Sequence, residues 1–238
     1  MKLFLLIKGE FVRLVKYRVL FFSLVVTAIW LIIIALLSVN EARLLSPLLI
    51  LTDLCMMSIL LLAAMTYYEK QEGTLITTLI SPVKTSYLVL SKYISQIIIG
   101  LLSATLISLC NTIFHGISIN YPLMLVYSLL IIICSCSISY ILIFYSKDFT
   151  SMIVNFAFIM LILFIPTILH MVNVIPDSFK YLLFLSPFHS AEVLINSTMT
   201  TGVPIGEILI SVGVLTLLSA LMIIFGVAKK FKSYAMRG

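Results

Sequence analysis

Charge is what this 238-residue chain has least of: Asp, Glu, Lys and Arg together make 10% of it, and nine residues are acidic. With 62% hydrophobic residues and a mean hydropathy of +1.24, such a chain would aggregate in water. The composition excludes a soluble globular protein and describes an integral membrane protein. Also missing are the segments of about ten residues with alternating polarity that a membrane barrel requires. Runs such as Leu31-Ile32-Ile33-Ile34-Ala35-Leu36-Leu37 are apolar on every face. There is no Gly-rich loop ending in Gly-Lys-Ser/Thr and no polar stretch long enough to hold a soluble domain, so a nucleotide-hydrolysing site is not expected in this chain. No Gly-x-Ser-x-Gly, His-Glu-x-x-His or Glu-Glu pattern accompanies the available serines and histidines, which argues against an intramembrane hydrolase.

Metal and redox chemistry are equally poorly provided for. Cys55, Cys110, Cys134 and Cys136 all fall in apolar runs, and Cys134 and Cys136 would point about 200° apart on a helix. They read as packing residues and not as disulfides or a zinc site. His115, His170 and His189 stand near span ends with no i, i+4 partner. A metal site needs three or four convergent ligands, so none is expected.

What is present is length for crossing a bilayer. A helix needs roughly 20 apolar residues to cross about 30 Å of hydrocarbon, where every backbone polar group must be paired within its own segment. That ruler gives one all-α transmembrane domain over 1–238 with six spans, near 19–39, 47–68, 87–114, 122–145, 151–171 and 205–228. The first 18 residues carry Lys2, Lys8, Glu10, Arg13, Lys16 and Arg18 without a short apolar core and small-residue cleavage site. A cleavable signal is therefore not expected.

Orientation follows from the cations. With the amino terminus inside, all of the 15 lysines and arginines except Arg43 and Lys180 lie on the inner side. Both termini and the 69–86 loop are then cytoplasmic, and the formal net charge of +6 reflects topology and calls for no nucleic-acid partner. Residues 1–18 plot as an amphipathic interfacial helix, with Phe4, Ile7, Phe11, Leu14 and Val15 on one side and Lys2, Gly9, Arg13 and Lys16 on the other. Its cations are expected to face anionic membrane lipids. Such a segment serves as a topogenic anchor or as a lever packed on a cytoplasmic partner.

Between spans two and three, Glu69 and Glu72 precede Gly73-Thr74, and a stripe of Leu75, Ile76, Leu79 and Ile80 alternates with Thr77, Thr78 and Ser81 until Pro82. This spacing predicts one short amphipathic helix, acidic at its start and stopped by proline. A helix of that kind lying across the cytoplasmic face can press into a groove on another protein, although any polytopic protein could contain such a loop.

Inside the spans, Asp53 is the one deeply placed acid, about 9 Å along the helix from Pro47. It lines the outer part of a transport route, caps polar neighbours or reaches the outer headgroups. Gly100, Ala104 and Ser108 form a small-residue ridge, for contact within the protomer or across a dimer seam. Ser135, Ser137 and Ser139 allow close helix approach or line a polar seam, and Pro166 kinks the fifth span or packs statically. The region 172–204 is too apolar for a free loop. Two short helices split at Ser186-Pro187, either re-entrant into the outer leaflet or lying flat on it as a lid, account for its composition.

The run Tyr67-Tyr68-Glu69-Lys70-Gln71-Glu72-Gly73-Thr74, continuing through Leu75 to Ser81-Pro82 and on to Lys92, resembles the signature of the ABC type-2 permeases. In that pattern a tyrosine and an acidic pair precede Gly-Thr, a Leu-rich turn leads to Ser-Pro, and a lysine begins the next span. Chain length, six spans, an amphipathic first helix and a long outer region before the last span agree with it. The resemblance implies a coupling helix docked on a separate ATP-binding subunit, with Glu69, Glu72, Gly73, Thr74, Leu79, Ser81 and Pro82 at the contact and Lys92 at the base of the third span. It also implies re-entrant outer helices and a second copy or related permease chain. ATP and Mg would be bound by the partner and no cofactor by this chain. The expected setting is a bacterial or archaeal plasma membrane, with a drug, antibiotic, haem or lipid-like amphiphile as cargo. An ion-coupled secondary transporter is the alternative, but such proteins place several charges or broken helices at mid-bilayer.

Overall fold

The computed structural model describes residues 2–80, 83–171, 174, 180–200 and 202–236. The chain is 89% helical, with no strand among the described residues. In order the helices are α1 (Lys2–Lys16), α2 (Val19–Leu36), α3 (Val39–Thr52), α4 (Ser58–Gln71), α5 (Thr74–Ile80), α6 (Thr85–His115), α7 (Tyr121–Tyr145), α8 (Phe149–Met171), α9 (Lys180–Leu183), α10 (Pro187–Met199), α11 (Ile205–Leu221) and α12 (Ala228–Met236). Two π-helical turns, Asp53–Met57 and Met222–Val227, join α3 to α4 and α11 to α12 without a break. Six helical stretches are long and apolar enough to span a membrane: α2, α3–α4, α6, α7, α8 and α11–α12.

The second span starts at Val39, eight residues before the position suggested by Pro47. Ser38 and Glu41 form a reciprocal capping box, in which the Ser38 backbone N–H donates to Glu41 Oε2 at 2.9 Å and the Glu41 N–H faces Ser38 Oγ at 3.5 Å. The cap satisfies the first orphan donors of the helix, and Pro47 sits inside it. At the other end, α4 runs to Gln71 and stops where Gly73 adopts φ +69°. The Glu72 N–H donates to the Tyr68 carbonyl at 2.9 Å and the Gly73 N–H to the Lys70 carbonyl at 3.1 Å, which closes the helix.

α7 is the axis of the bundle. Of its most apolar window 72% is buried, against 67% for α3–α4 and only 17% for α11–α12. Leu54, Ile59, Ile131, Ile132, Tyr140, Phe188 and Leu215 meet in the main apolar core. Its serines close gaps between backbones: Ser139 Oγ donates to the Ile59 carbonyl at 2.8 Å, and Ser137 Oγ lies 2.9 Å from the Tyr93 hydroxyl. Gly100 of α6 has the same purpose, since a Cβ there would stand 2.7 Å from Ile132 Cδ1 and 3.1 Å from Cγ1. Ser108 Oγ donates to Met124 Sδ at 2.8 Å and Ala104 is fully buried. The Gly100, Ala104, Ser108 ridge is thus turned toward α7 of its own chain. The four cysteines are buried and free.

α1, α12 and the α4–α5 turn gather at one end of the bundle, called here the termini end. α9 and α10 are separated by a turn that ends at Ser186, with Pro187 the first residue of α10, and α10 is enclosed by α3, α7, α8 and α11 toward the far end. Of the region 172–204, residues 172–173, 175–179 and 201 lie outside the described residues. Replacing Gly100 by valine should lower stability by about 1–3 kcal/mol through overpacking against Ile132. Gly100→Ala should cost less, because the Ile132 terminal methyl can swing away; thermal unfolding of the detergent-solubilised variants gives the comparison.

Candidate functional site

The interval that stands out in the sequence folds into a bent bracket. α4 ends, Gly73 turns the chain in the left-handed region, and α5 begins at once. An L-residue in that conformation costs roughly 1–2 kcal/mol, so glycine is the residue that permits the turn without strain. Thr74 Oγ1 donates back to the Glu69 carbonyl at 3.0 Å and Thr78 Oγ1 to the Thr74 carbonyl at 2.6 Å. Leu75 is buried, Ile76 and Leu79 are half-buried, and Thr77 and Ile80 are exposed, Ile80 at 79%. Ser81 and Pro82 lie outside the described residues.

Behind this bracket is an ionic cluster contributed by three helices. Lys92 Nζ of α6 lies 2.6 Å from both carboxylate oxygens of Glu69 on α4 and 3.1 Å from Glu10 Oε2 on α1. Arg13, one turn beyond Glu10, donates to Glu10 Oε1 at 2.7 Å and brings its Nε to 3.5 Å from Glu69 Oε1. Lys92, Glu10 and Glu69 are each at most 2% exposed. Two acids and two bases make the group formally neutral, which is the condition for holding charge away from water. Burial pushes the Glu10 carboxyl above the ordinary carboxylate range and nearby Glu69 adds to this, while Lys92 and Arg13 act in the opposite sense.

A second contact clasps α1 to the turn itself. The Tyr17 hydroxyl donates to Glu72 Oε2 at 2.6 Å, and Lys16 Nζ lies 3.0 Å from the same oxygen. Partial burial and the Glu72 hydrogen bond push the Tyr17 phenol up to about 12. The hydrogen bonds from Tyr17 and Lys16 hold Glu72 below its usual range. This contribution is present at neutral pH and is lost as pH falls through the depressed folded-state value. Tyr17 stacks on Tyr68 at 5.9 Å, and Tyr67 and Tyr68 both meet Phe149 of α8.

The far end carries the larger cavities. One of about 350 Å³ is lined by His170, His189, Glu192, Asn196, Val203 and Glu207. Beside it, a space of about 360 Å³ brings Arg43 and Pro47 to Glu192 and Asn196. His170 and His189, remote in sequence, meet with ring centroids 5.3 Å apart. Among the described residues no group of three or more His, Cys, Asp or Glu is placed to hold a metal ion. Asp53 lines neither cavity: it is 2% exposed in the π-turn and accepts a hydrogen bond from Ser103 Oγ of α6.

The decisive comparison is with protein families. The description "ABC-2 family transporter protein" matches residues 38–228. The chain belongs to the ABC-2 transporter family. No curated protein matches it. In this ABC-2 permease the family match runs from the Ser38 cap to the first residue of α12, so α1, α2 and nearly all of α12 lie outside it.

Of the expected contact residues, the fold brings Glu72, Gly73, Thr74 and Leu79 together at the turn, whereas the Glu69 carboxylate points inward to Lys92. Arg13 also turns inward, to Glu10 and Glu69, and not toward lipid. Phe4, Leu5, Val12 and Val15 are the exposed apolar residues of α1. No sequence motif marks Glu10 as a site residue. The available signals were its position as the lone acid in a basic helix and the presence of Lys92 on an apolar span with no acid one turn away.

Replacing Lys92 by methionine leaves two buried carboxylates facing each other, and loss of one partner of a buried pair costs about 3–5 kcal/mol. Thermal unfolding should show that loss at neutral pH. Adding Glu10→Gln and Glu69→Gln to Lys92→Met should recover much of it.

Proposed function

We propose that this permease is the membrane half of an ATP-driven exporter, and that α5 is the surface on which a separate ATP-binding subunit pushes. The observation that carries the reading is the bracket itself. α5 sits at the termini end with Thr77 and Ile80 outward, and it is tied through α4 to the Glu10–Arg13–Glu69–Lys92 cluster. A load on α5 is therefore shared by α1, α4 and α6. The cation distribution supports a cytoplasmic termini end, because Arg43 and Lys180 alone of the 15 basic residues belong to the other side.

Pairing with a second copy or a related permease accounts for the distribution of space. The void among Cys55, α7, α10 and α11 offers about 10 Å³, room for no more than about one water molecule. A cargo path then runs between two protomers, not through one. α10, enclosed by four helices beside the far-end cavities, suits the re-entrant element that closes the outer end. In the cycle, nucleotide-driven closure of two ATP-binding subunits brings the α5 helices together and rotates the attached spans. The path opens outward for an amphiphilic drug, antibiotic or lipid-like cargo. ATP and Mg belong to the partner; this chain contributes the bracket and the path.

Gly73→Val, which strains the turn, and Glu72→Gln, which weakens the clasp, should each leave membrane insertion intact. Both should separate ATP hydrolysis from transport in liposomes containing the ATP-binding subunit, with transport falling several-fold more than hydrolysis. Wild-type coupling in both variants, or cargo movement by the purified chain alone on an ion gradient, overturns the assignment.

A further inference from the structure

α1 is packed with its charged pair inward. Glu10 and Arg13 face the bundle, where they meet Lys92 and Glu69. Leu14 is buried with Val19, Leu61, Met65 and Ile99, which holds the second half of the helix against apolar stretches of the second and third spans. The outward side consists of Phe4, Leu5, Val12 and Val15, each 60–71% exposed, together with the exposed Lys8 and Lys16. These positions recur every three or four residues and so share one side of the helix. Glu10, the lone acid of α1, points the other way, which leaves the outward side apolar and cationic without a single carboxylate.

Four large apolar side chains open on one side are unfavourable in water. A leaflet rich in anionic lipid satisfies both components of this surface: its acyl chains take up the apolar residues and its headgroup phosphates attract the ammonium groups, whose long stems reach back to the headgroup level. A second copy of α1 suits it less, because two such sides brought together set lysine against lysine with no acid between them.

Lys16 belongs to two contacts. It stands on the outward side of α1, and its Nζ also lies 3.0 Å from Glu72 Oε2, the oxygen that accepts the Tyr17 hydroxyl at 2.6 Å. Lys16 and Glu72 are both exposed. An ion pair open to water is weak, and the attraction of one lysine to an anionic membrane surface is of the same order. Neither the carboxylate nor the leaflet therefore holds Lys16 outright.

We propose that the outward side of α1 docks on the anionic leaflet at the termini end, and that lipid phosphate competes with Glu72 for Lys16. The charge of the membrane then sets how firmly α1 is clasped to the Gly73 turn. When Lys16 turns to lipid, Glu72 keeps only the Tyr17 hydroxyl, while the buried Glu10–Arg13–Glu69–Lys92 cluster is untouched. The inference stands whether or not α5 is the contact of an ATP-binding subunit, and α1 lies outside the family match.

The test uses the purified full-length chain in nanodiscs of phosphatidylcholine alone or mixed with phosphatidylglycerol. A water-soluble carbodiimide joins an amine to a carboxylate only where the two touch, so the yield of the Lys16–Glu72 cross-link, read by peptide mass spectrometry, reports the clasp. That yield should fall several-fold in the anionic nanodiscs. In the same anionic nanodiscs Lys8→Gln, which weakens the hold of the leaflet on α1, should recover much of the loss. Lys232→Gln, which removes an exposed cation from α12, should recover none. A spin label on Val12→Cys should be reached by oxygen dissolved in lipid and shielded from a water-soluble nickel complex; the native cysteines are buried. Equal cross-link yields in the two lipids overturn the proposal, as does equal recovery by Lys8→Gln and Lys232→Gln. A Val12→Cys label shielded from oxygen and nickel alike shows a protein surface on α1 and overturns it too.

Discussion

One lysine ammonium, Lys92, buried between the carboxylates of Glu69 and Glu10, organises the termini end of the molecule. Each of the three groups would be prohibitively placed alone, because charge taken out of water must be compensated by opposite charge at hydrogen-bonding distance. Their mutual need fixes α1 against α4 and α6 and orients the turn that follows Glu69. Arg13 completes the neutrality, and the exposed Tyr17 and Lys16 clasp on Glu72 adds a contact that solvent and salt can weaken. The cluster is the stiff part; the clasp is the adjustable one.

That arrangement gives the Gly73 turn a mechanical meaning. α5 is only two turns long, too short to hold a position through its own backbone hydrogen bonds. It is kept in place by Leu75 beneath it, by Thr74 bonded back to the end of α4, and by α12 at its flank. Burial is graded across the bundle in the same sense: α7 is enclosed, α3–α4 nearly so, and α2, α8 and α11 present most of their apolar surface outward. Helices whose apolar sides face outward are suited to lipid or to a second chain, and the ones that are enclosed form the fixed frame.

The class of fold was legible because bilayer physics leaves so few solutions. Long apolar runs without alternation, cations gathered on one side and a Gly-Thr turn between spans two and three are one-dimensional signals, and the helices occupy those runs. The boundaries were less legible where local chemistry competed. Pro47 reads as a helix start, yet the Ser38–Glu41 capping box begins the helix a full two turns earlier. The π-turns at Asp53–Met57 and Met222–Val227 left no trace in segments that are apolar on all sides, where inserting one residue in the helical register alters no visible pattern.

Of the candidate site, the sequence by itself determined the order of elements: an acidic turn, a glycine able to take positive φ, and a short amphipathic helix, set in a chain with six stretches long and apolar enough to cross a bilayer. Only the tertiary structure decided that Glu69 faces inward and Glu72 outward, that the small-residue ridge at Gly100 serves α7, and that His170 lies beside His189. The reason is physical. Hydropathy and helical period are properties of neighbouring residues, whereas the Lys92 ion pairs join residues 82 and 23 positions apart, and which charges pair depends on how the helices rotate when they pack.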